Sequence, residues 1–269
     1  MALKDITLGQ YFPGSSPVHR LDPRTKILLV VLYITALFCA KNVASYGLMA
    51  LVLAVCTRIS RVRLKAMVRG LKPVVFIIVF TAVLNLFFTP GQRELFALGP
   101  LHITDTGLSN AVFMVLRILL LIMGTFLLTY TTSPISLTDG LERLLNGLKR
   151  FHVPVHELSM MMAIALRFIP TLIEETDKIM SAQKARGADF ESGGILQKAK
   201  AMIPILVPLF ISAFRRADEL ATAMECRCYH GGEGRTKLHV LCYVPRDYTA
   251  LACGALVLAA VLVLRHFGI

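Results

Sequence analysis

Residues 107–132 form a long apolar run that carries one charged side chain, Arg117. At about 1.5 Å of helix per residue, such a run covers the roughly 30 Å hydrocarbon core of a bilayer. It therefore predicts a membrane-spanning helix. Four further apolar runs, at 27–40, 43–57, 73–88 and 248–264, bring the expected spans to five. The first two are short, since 14 apolar residues reach only about 21 Å. They extend into their flanks, tilt, or thin the bilayer, with Lys41 and Asn42 as the hairpin tip between them. Composition agrees: the chain is 55% hydrophobic and has no Trp. Its mean hydropathy of +0.65 exceeds that of ordinary soluble domains. The expected fold class is an all-α polytopic membrane protein, with about five transmembrane helices plus long cytoplasmic helices.

Charge placement sets the orientation. The stretch "RISRVRLKAMVRGLK", residues 58–72, holds six basic residues and no acid, which marks it as cytoplasmic. The loop "TPGQRELFALGPLHITD" sets one Arg against Glu94 and Asp105 and suits the outside. Counting spans puts the N-terminus and residues 133–246 inside and the C-terminus outside. The net charge of +12 is accounted for by topology and anionic lipid, and nucleic acid is not an expected partner. The expected parts are 1–132 (N-terminal segment and four spans), 133–246 (cytoplasmic helices) and 247–269 (last span). The start, "MALKDITLGQYF", lacks an apolar signal-peptide core, so no cleaved leader is expected. The six cysteines, at 39, 56, 226, 228, 242 and 253, lack disulfide-framework spacing and read as reduced thiols.

The inner region predicts three helices. "SPISLTDGLERLLNGLKRF" has Ser136 and Asp139 at capping-box spacing, then Leu141, Leu144, Leu145 and Leu148 at helical period. A second helix is expected from about Pro154 to Gly187. A third is expected from about Leu196 to Cys226, bent at Pro204 and Pro208. Both long helices are apolar in their first half and charged in their second, so they are expected at or under the membrane surface. Met160, Met161 and Met162 offer an adaptable apolar surface. Glu174, Glu175, Arg215, Arg216, Asp218 and Glu219 can pair between the two helices, and Arg167 can anchor the second helix near the interface. Arg117 needs a partner inside the membrane; Asn85 or lipid headgroups are the expected ones, with a structural role.

The two long helices also end alike. "DKIMSAQKARG" (177–187) recurs 41 residues later as "DELATAMECRC" (218–228). The copies share Asp177/Asp218, Ala182/Ala223 and Arg186/Arg227, with conservative matches at Ile179/Leu220 and Ser181/Thr222. Each arginine sits at a helix C-terminus, where the dipole favours a cation. It stands between two small residues, Ala185 and Gly187 or Cys226 and Cys228, which leave its planar fork of donors unobstructed. A duplicated tip predicts a two-fold partner in the cytosol.

Four stretches, "GQYFPGSSPVHRLDPRTKILL", "TTSPISLTDGLERLL", "LRFIPTLIEETDKIMSAQKARG" and "RRADELATAMECRCYHGGEGRTK", closely resemble the transmembrane T component (EcfT) of energy-coupling factor transporters. The similarity runs over residues 8–237. It implies an importer of vitamins or micronutrients in the ABC superfamily. In that family the T component holds a membrane-embedded, substrate-binding S component and couples it to two cytosolic ATPases. The resemblance implies that Arg186 and Arg227 with their small neighbours dock on those ATPases, and that ATP and Mg are bound by the partners, with no cofactor in this chain. The second signature departs from the usual Ala-Arg-Gly, so its helix stop lacks glycine.

Two other classes were weighed. A membrane enzyme would use His152, His156 and Glu157, or the Cys226–Cys242 region with His230. The order H-E-x-x-H is missing, Pro154 separates the histidines, and a C-x-C pair with loosely spaced followers is not a zinc pattern. No G-x-x-x-x-G-K-[ST] sequence occurs, so the chain alone is not expected to hydrolyse ATP. A secondary carrier would show repeats among its spans, whereas the visible repeat lies in the inner helices.

Overall fold

The computed structural model describes residues 11–89, 94–98, 101–151, 153–190, 194–231 and 240–267. The chain divides into two compact units at 140/141 and 240/241. The first unit contains α1 (Pro23–Cys39), α2 (Val43–Ser60), α3 (Leu64–Phe88), α4 (Asp105–Thr131) and α8 (Pro245–Phe267). The second contains α6 (Val155–Ala185) and α7 (Ile195–Glu225), and α5 (Pro134–Leu145) crosses the first boundary. A 3-10 turn, Asn146–Phe151, follows α5. The protein is an all-α polytopic membrane protein apart from one short hairpin. That hairpin lies in the loop expected outside. It pairs β1 (Glu94–Leu98) antiparallel with β2 (Leu101–Thr104), Leu98 opposite Leu101, with a bulge between Glu94 and Phe96.

Both boundaries lie inside the 133–246 limits read from sequence, and local contacts explain why. The Asp22 carboxylate accepts from the Arg24 N–H at 2.9 Å and starts α1, with Pro23 at the first helical position. Asp247 then ties α8 to it: one carboxylate oxygen accepts from the Asp22 N–H at 2.9 Å, the other from the Val244 N–H at 2.8 Å. Arg24 donates to the Leu241 carbonyl at 2.9 Å and lies 4.0 Å from the centre of the Tyr243 ring. Residues 241–246 therefore belong with α1. Burial pushes the Asp22 carboxyl up, but the Arg24 hydrogen bonds and the Arg24 and Lys26 charges outweigh it and leave its pKa lowered. At the other boundary, a methyl on Gly140 would stand 2.9 Å from Pro23 Cβ, so the start of α5 packs against α1.

The N-terminus of α5 is one turn earlier than its sequence pattern implied. Ser133 Oγ, rather than Ser136, accepts the capping bond, from the Ser136 N–H at 3.2 Å, and Pro134 takes the first helical position.

Six helices are long and apolar enough to cross a membrane: α2, α3, α4, α6, α7 and α8. Five spans were expected, α1 among them. At 17 residues α1 is shorter than these, although it gains a turn from its flank. α6 and α7 qualify by length and composition despite their charged second halves.

The core of the first unit joins α1, α2, α4 and α8 through Ala36, Leu37, Ala40, Tyr46, Met49, Leu53, Leu120 and Val261. Within lipid, apolar burial gives little preference for helix over lipid contact, so close packing at small residues does the joining. A methyl at Gly124 would stand 2.5 Å from Tyr33 Cε1, and one at Gly254 would stand 2.6 Å from Leu29 Cδ2. α1 is thus held between α4 and α8. The buried Lys26 adds a polar clamp, donating to the carbonyls of His19 at 3.1 Å and Thr131 at 2.9 Å.

Candidate functional site

α6 stops where the backbone turns left-handed at Gly187, φ 87°. The Gly187 N–H donates to the Lys184 carbonyl at 3.0 Å and the Ala188 N–H to the Gln183 carbonyl at 3.0 Å. These two bonds form a Schellman stop, which satisfies carbonyls that have no helical donor. α7 stops in the same way. Cys228 has φ 55°, its N–H reaches the Glu225 carbonyl at 2.8 Å, and the Tyr229 N–H reaches the Met224 carbonyl at 3.1 Å. Every participant is displaced by the 41 residues of the sequence repeat. The missing glycine therefore leaves the stop in place, at the roughly 1–2 kcal/mol that a left-handed non-glycine residue costs.

Arg186 and Arg227 each immediately precede the left-handed residue, and Ala185, Gly187, Cys226 and Cys228 are exposed with them. Each tip thus presents a guanidinium at the negative end of a helix dipole, with donors free to meet a carboxylate.

The two helices meet at a point fixed by the repeat. Arg216 donates to Glu175 at 3.0 Å, and these are equivalent positions, again 41 apart. Ser212 also bonds the Glu175 carboxylate. Gln183 Nε2 donates to the Pro204 carbonyl at 3.4 Å, which Pro208, lacking an N–H, cannot serve within the helix. Rising numbers on α6 meet falling numbers on α7, so the contacts run antiparallel. Each arginine lies 11 residues past its crossing residue, or about 16 Å along the helix. The tips therefore sit on opposite sides of the crossing at equal reach.

Residues 14–238 match the CbiQ family, described as cobalt transport protein. The energy-coupling factor transporter transmembrane protein EcfT of Thermosediminibacter oceani is 54% identical over 97% of this chain and 98% of its own. Proteins of the same name are similar in Clostridium kluyveri (54%, 98% of each chain) and Bacillus subtilis (48%, 97% of this chain and 98% of its own). The chain belongs to the EcfT (CbiQ) family.

In this EcfT-family chain the apolar halves of both long helices are exposed. Met161 is 54% and Met162 39% exposed, with Met160 half-buried. On α7 the exposed residues Ile203, Val207, Phe210 and Phe214 recur at helical spacing. Of the charged residues expected to pair, Glu175 and Arg216 do so; Glu174, Arg215, Asp218 and Glu219 are exposed, as is Arg167.

Arg117 finds a partner other than Asn85. Its Nε donates to Tyr46 Oη at 2.9 Å and its Nη2 to the Ala40 carbonyl at 3.2 Å. The Ala40 residue ends α1, so the guanidinium binds α4 to the α1–α2 hairpin. The Asn85 amide instead donates to the Thr81 carbonyl one turn back, at 2.9 Å.

One cluster escaped the sequence reading. Glu142 accepts from Ser159 Oγ at 3.0 Å and lies 3.2 Å from His156 Nδ1, joining α5 to α6. The separation of 14 to 17 residues has no local pattern to reveal it. His156 is thereby engaged by a carboxylate, while His152 lies outside the described residues. Cys226, Cys228 and Cys242 are exposed, and no group of three metal-ligating side chains occurs among the described residues.

Proposed function

We propose that this chain is the coupling component of an ATP-driven importer in the cell membrane of a prokaryote. The observation that carries the reading is the pair of identically capped arginine tips, set at equal distance from one crossing. Such an arrangement fits a pair of equivalent receptors. In this reading Arg186 and Arg227, with Ala185, Gly187, Cys226 and Cys228, dock on two cytosolic ABC-type ATPases. Closing and opening of the ATPase pair moves both tips. The crossing at Glu175 and Arg216 transmits that motion to the apolar helix halves.

Met160, Met161 and Met162, with the apolar stripe of α7, meet a membrane-embedded S component that binds the vitamin or micronutrient. Substrate choice belongs to that partner. The chain itself is a non-catalytic scaffold without cofactor; ATP and Mg are held by the ATPases. The N-terminus and residues 133–246 are cytoplasmic and the C-terminus is outside, as the basic run at 58–72 favours. The parts 1–132, 133–246 and 247–269 serve as membrane anchor, coupling region and last span.

Arg186→Glu with Arg227→Glu tests the proposal. Uptake of the cognate substrate should lose its dependence on ATP while the variant inserts normally. ATP-driven uptake at the wild-type rate by the double variant would refute the docking role.

A further inference from the structure

A second basic feature lies apart from the helix tips, where α2 passes into α3. A cavity of about 500 Å³ is lined there by Phe12, Ser15, Ser16, His19, Arg61 and Arg63, together with short stretches of neighbouring backbone, and no acidic residue faces it. We propose that this concavity seats the phosphate of an anionic phospholipid.

The site is held open by its own bonds. The Phe12 N–H donates to the Tyr130 carbonyl at 3.0 Å, fixing the start of the loop on α4. His19 Nε2 lies 3.1 Å from the Phe12 carbonyl. Because a carbonyl only accepts, that nitrogen carries the proton. In the neutral ring Nδ1 then accepts from Ser16 Oγ, 2.7 Å away. A methyl on Gly14 would stand 2.9 Å from His19 Cε1, so the loop is folded tightly over the ring. The opposite wall is the three-residue turn between α2 and α3, in which Arg61 adopts a left-handed φ of 57°. A non-glycine residue is held there at a cost, and the turn places Arg61 and Arg63 on one wall.

Position selects the ligand. The cavity lies at the ends of two helices, where the chain leaves hydrocarbon for the headgroup layer. Arg58, Arg61, Arg63, Lys65, Arg69 and Lys72 are all exposed along this face. Immediately below, Leu64 is 60% and Val68 58% exposed, and Phe12 at the rim is 48% exposed. Cationic forks beside an apolar strip match a phosphate above acyl chains. An acidic protein surface or a free anion would gain nothing from that strip. Under the orientation proposed above the lipid belongs to the inner leaflet.

The test is native mass spectrometry of the full-length chain in mild detergent, titrated with phosphatidylglycerol or phosphatidylcholine. Wild type should retain phosphatidylglycerol preferentially. Arg61→Ala with Arg63→Ala should weaken retention about 25-fold, from about fivefold per surface arginine. Lys65→Ala with Lys72→Ala, which removes equal charge from the same run outside the cavity, should have a much smaller effect. Arg61→Gly guards against misfolding, because glycine accepts the turn's φ while removing the guanidinium; it should weaken retention about fivefold. Equal loss in the lysine variant would reduce the effect to general surface charge and overturn the proposal. Equal retention of phosphatidylcholine would overturn it too. Displacement of the lipid by inorganic phosphate at comparable concentration would assign the site to a free anion instead.

Discussion

Gly187 and Cys228 occupy the same left-handed position at the ends of α6 and α7, with matching pairs of capping hydrogen bonds. Glycine takes that conformation at no steric cost, whereas cysteine carries a penalty. The difference separates two requirements that one tip alone would confuse. The stop geometry is kept at both ends, and so is an arginine just before it; the residue that makes the stop comfortable is not. What the pair has in common is thus the placement of the guanidinium. The stability of the two helix ends is allowed to differ.

Breaking the comparison altogether should have the largest effect. With both arginines reversed to Glu, ATP-driven uptake should fall to background, and each single reversal should leave a partial rate because two contacts share the load. Transport assays in reconstituted vesicles would distinguish additive partial losses from a single dominant tip. Next in size is the backbone. Gly187→Val should destabilise the first stop by about 2 kcal/mol, while Cys228→Gly should strengthen the second by about 1 kcal/mol. Hydrogen exchange at the capping amides of residues 187–188 and 228–229 would read both, with protection moving in opposite directions. Faster exchange in Cys228→Gly would contradict the assignment of strain.

A smaller change is expected at the crossing. Glu175→Gln or Arg216→Gln removes a partly exposed pair, with side-chain exposures of 22% and 37%. Its contribution is at most about 1 kcal/mol. A double-mutant cycle on thermal unfolding in detergent should give coupling of that order, and zero coupling would remove the pair from the account. The smallest effect is a control remote from the tips. Burial holds the His19 pKa below its ordinary 6.5, with a further push from Lys26 and a hydrogen bond to Phe12 opposing both. A histidine kept neutral in the fold contributes stability that is full above the unfolded value near 6.5 and is lost as pH falls below it. Exchange in residues 12–19 should therefore quicken from about pH 7.5 to about pH 5.5 and not in His19→Gln. The two tips should show no such added change.

The spans were legible because a bilayer demands long apolar runs, and the tips were legible because a duplicated segment is visible without any structure. The ends of elements were harder. Ser133 and Ser136 offer the same chemistry three residues apart, and Pro134 decides between them. The partner of Arg117 was missed because Tyr46 and the Ala40 carbonyl lie more than 70 residues away, and helical spacing cannot reveal a contact of that separation. The Glu142–His156–Ser159 cluster and the clamps of Lys26 and Asp247 were hidden for the same reason. In the candidate site, the arginines could be read directly; their equal distance from the Glu175–Arg216 crossing needed the fold. The hairpin between α3 and α4 was read only as a loop, because Gly and Pro punctuate it on both sides.

The central claim is that two equivalent tips dock on two equivalent cytosolic subunits. A mild-detergent pull-down of the tagged chain from its own membranes tests it, with wild type beside Arg186→Glu/Arg227→Glu. The account predicts that two ATPase subunits accompany wild type and are absent from the double variant, while a small membrane protein stays with both. Equal recovery of the ATPases with the double variant, or their absence from wild type under conditions that preserve other membrane complexes, would contradict it.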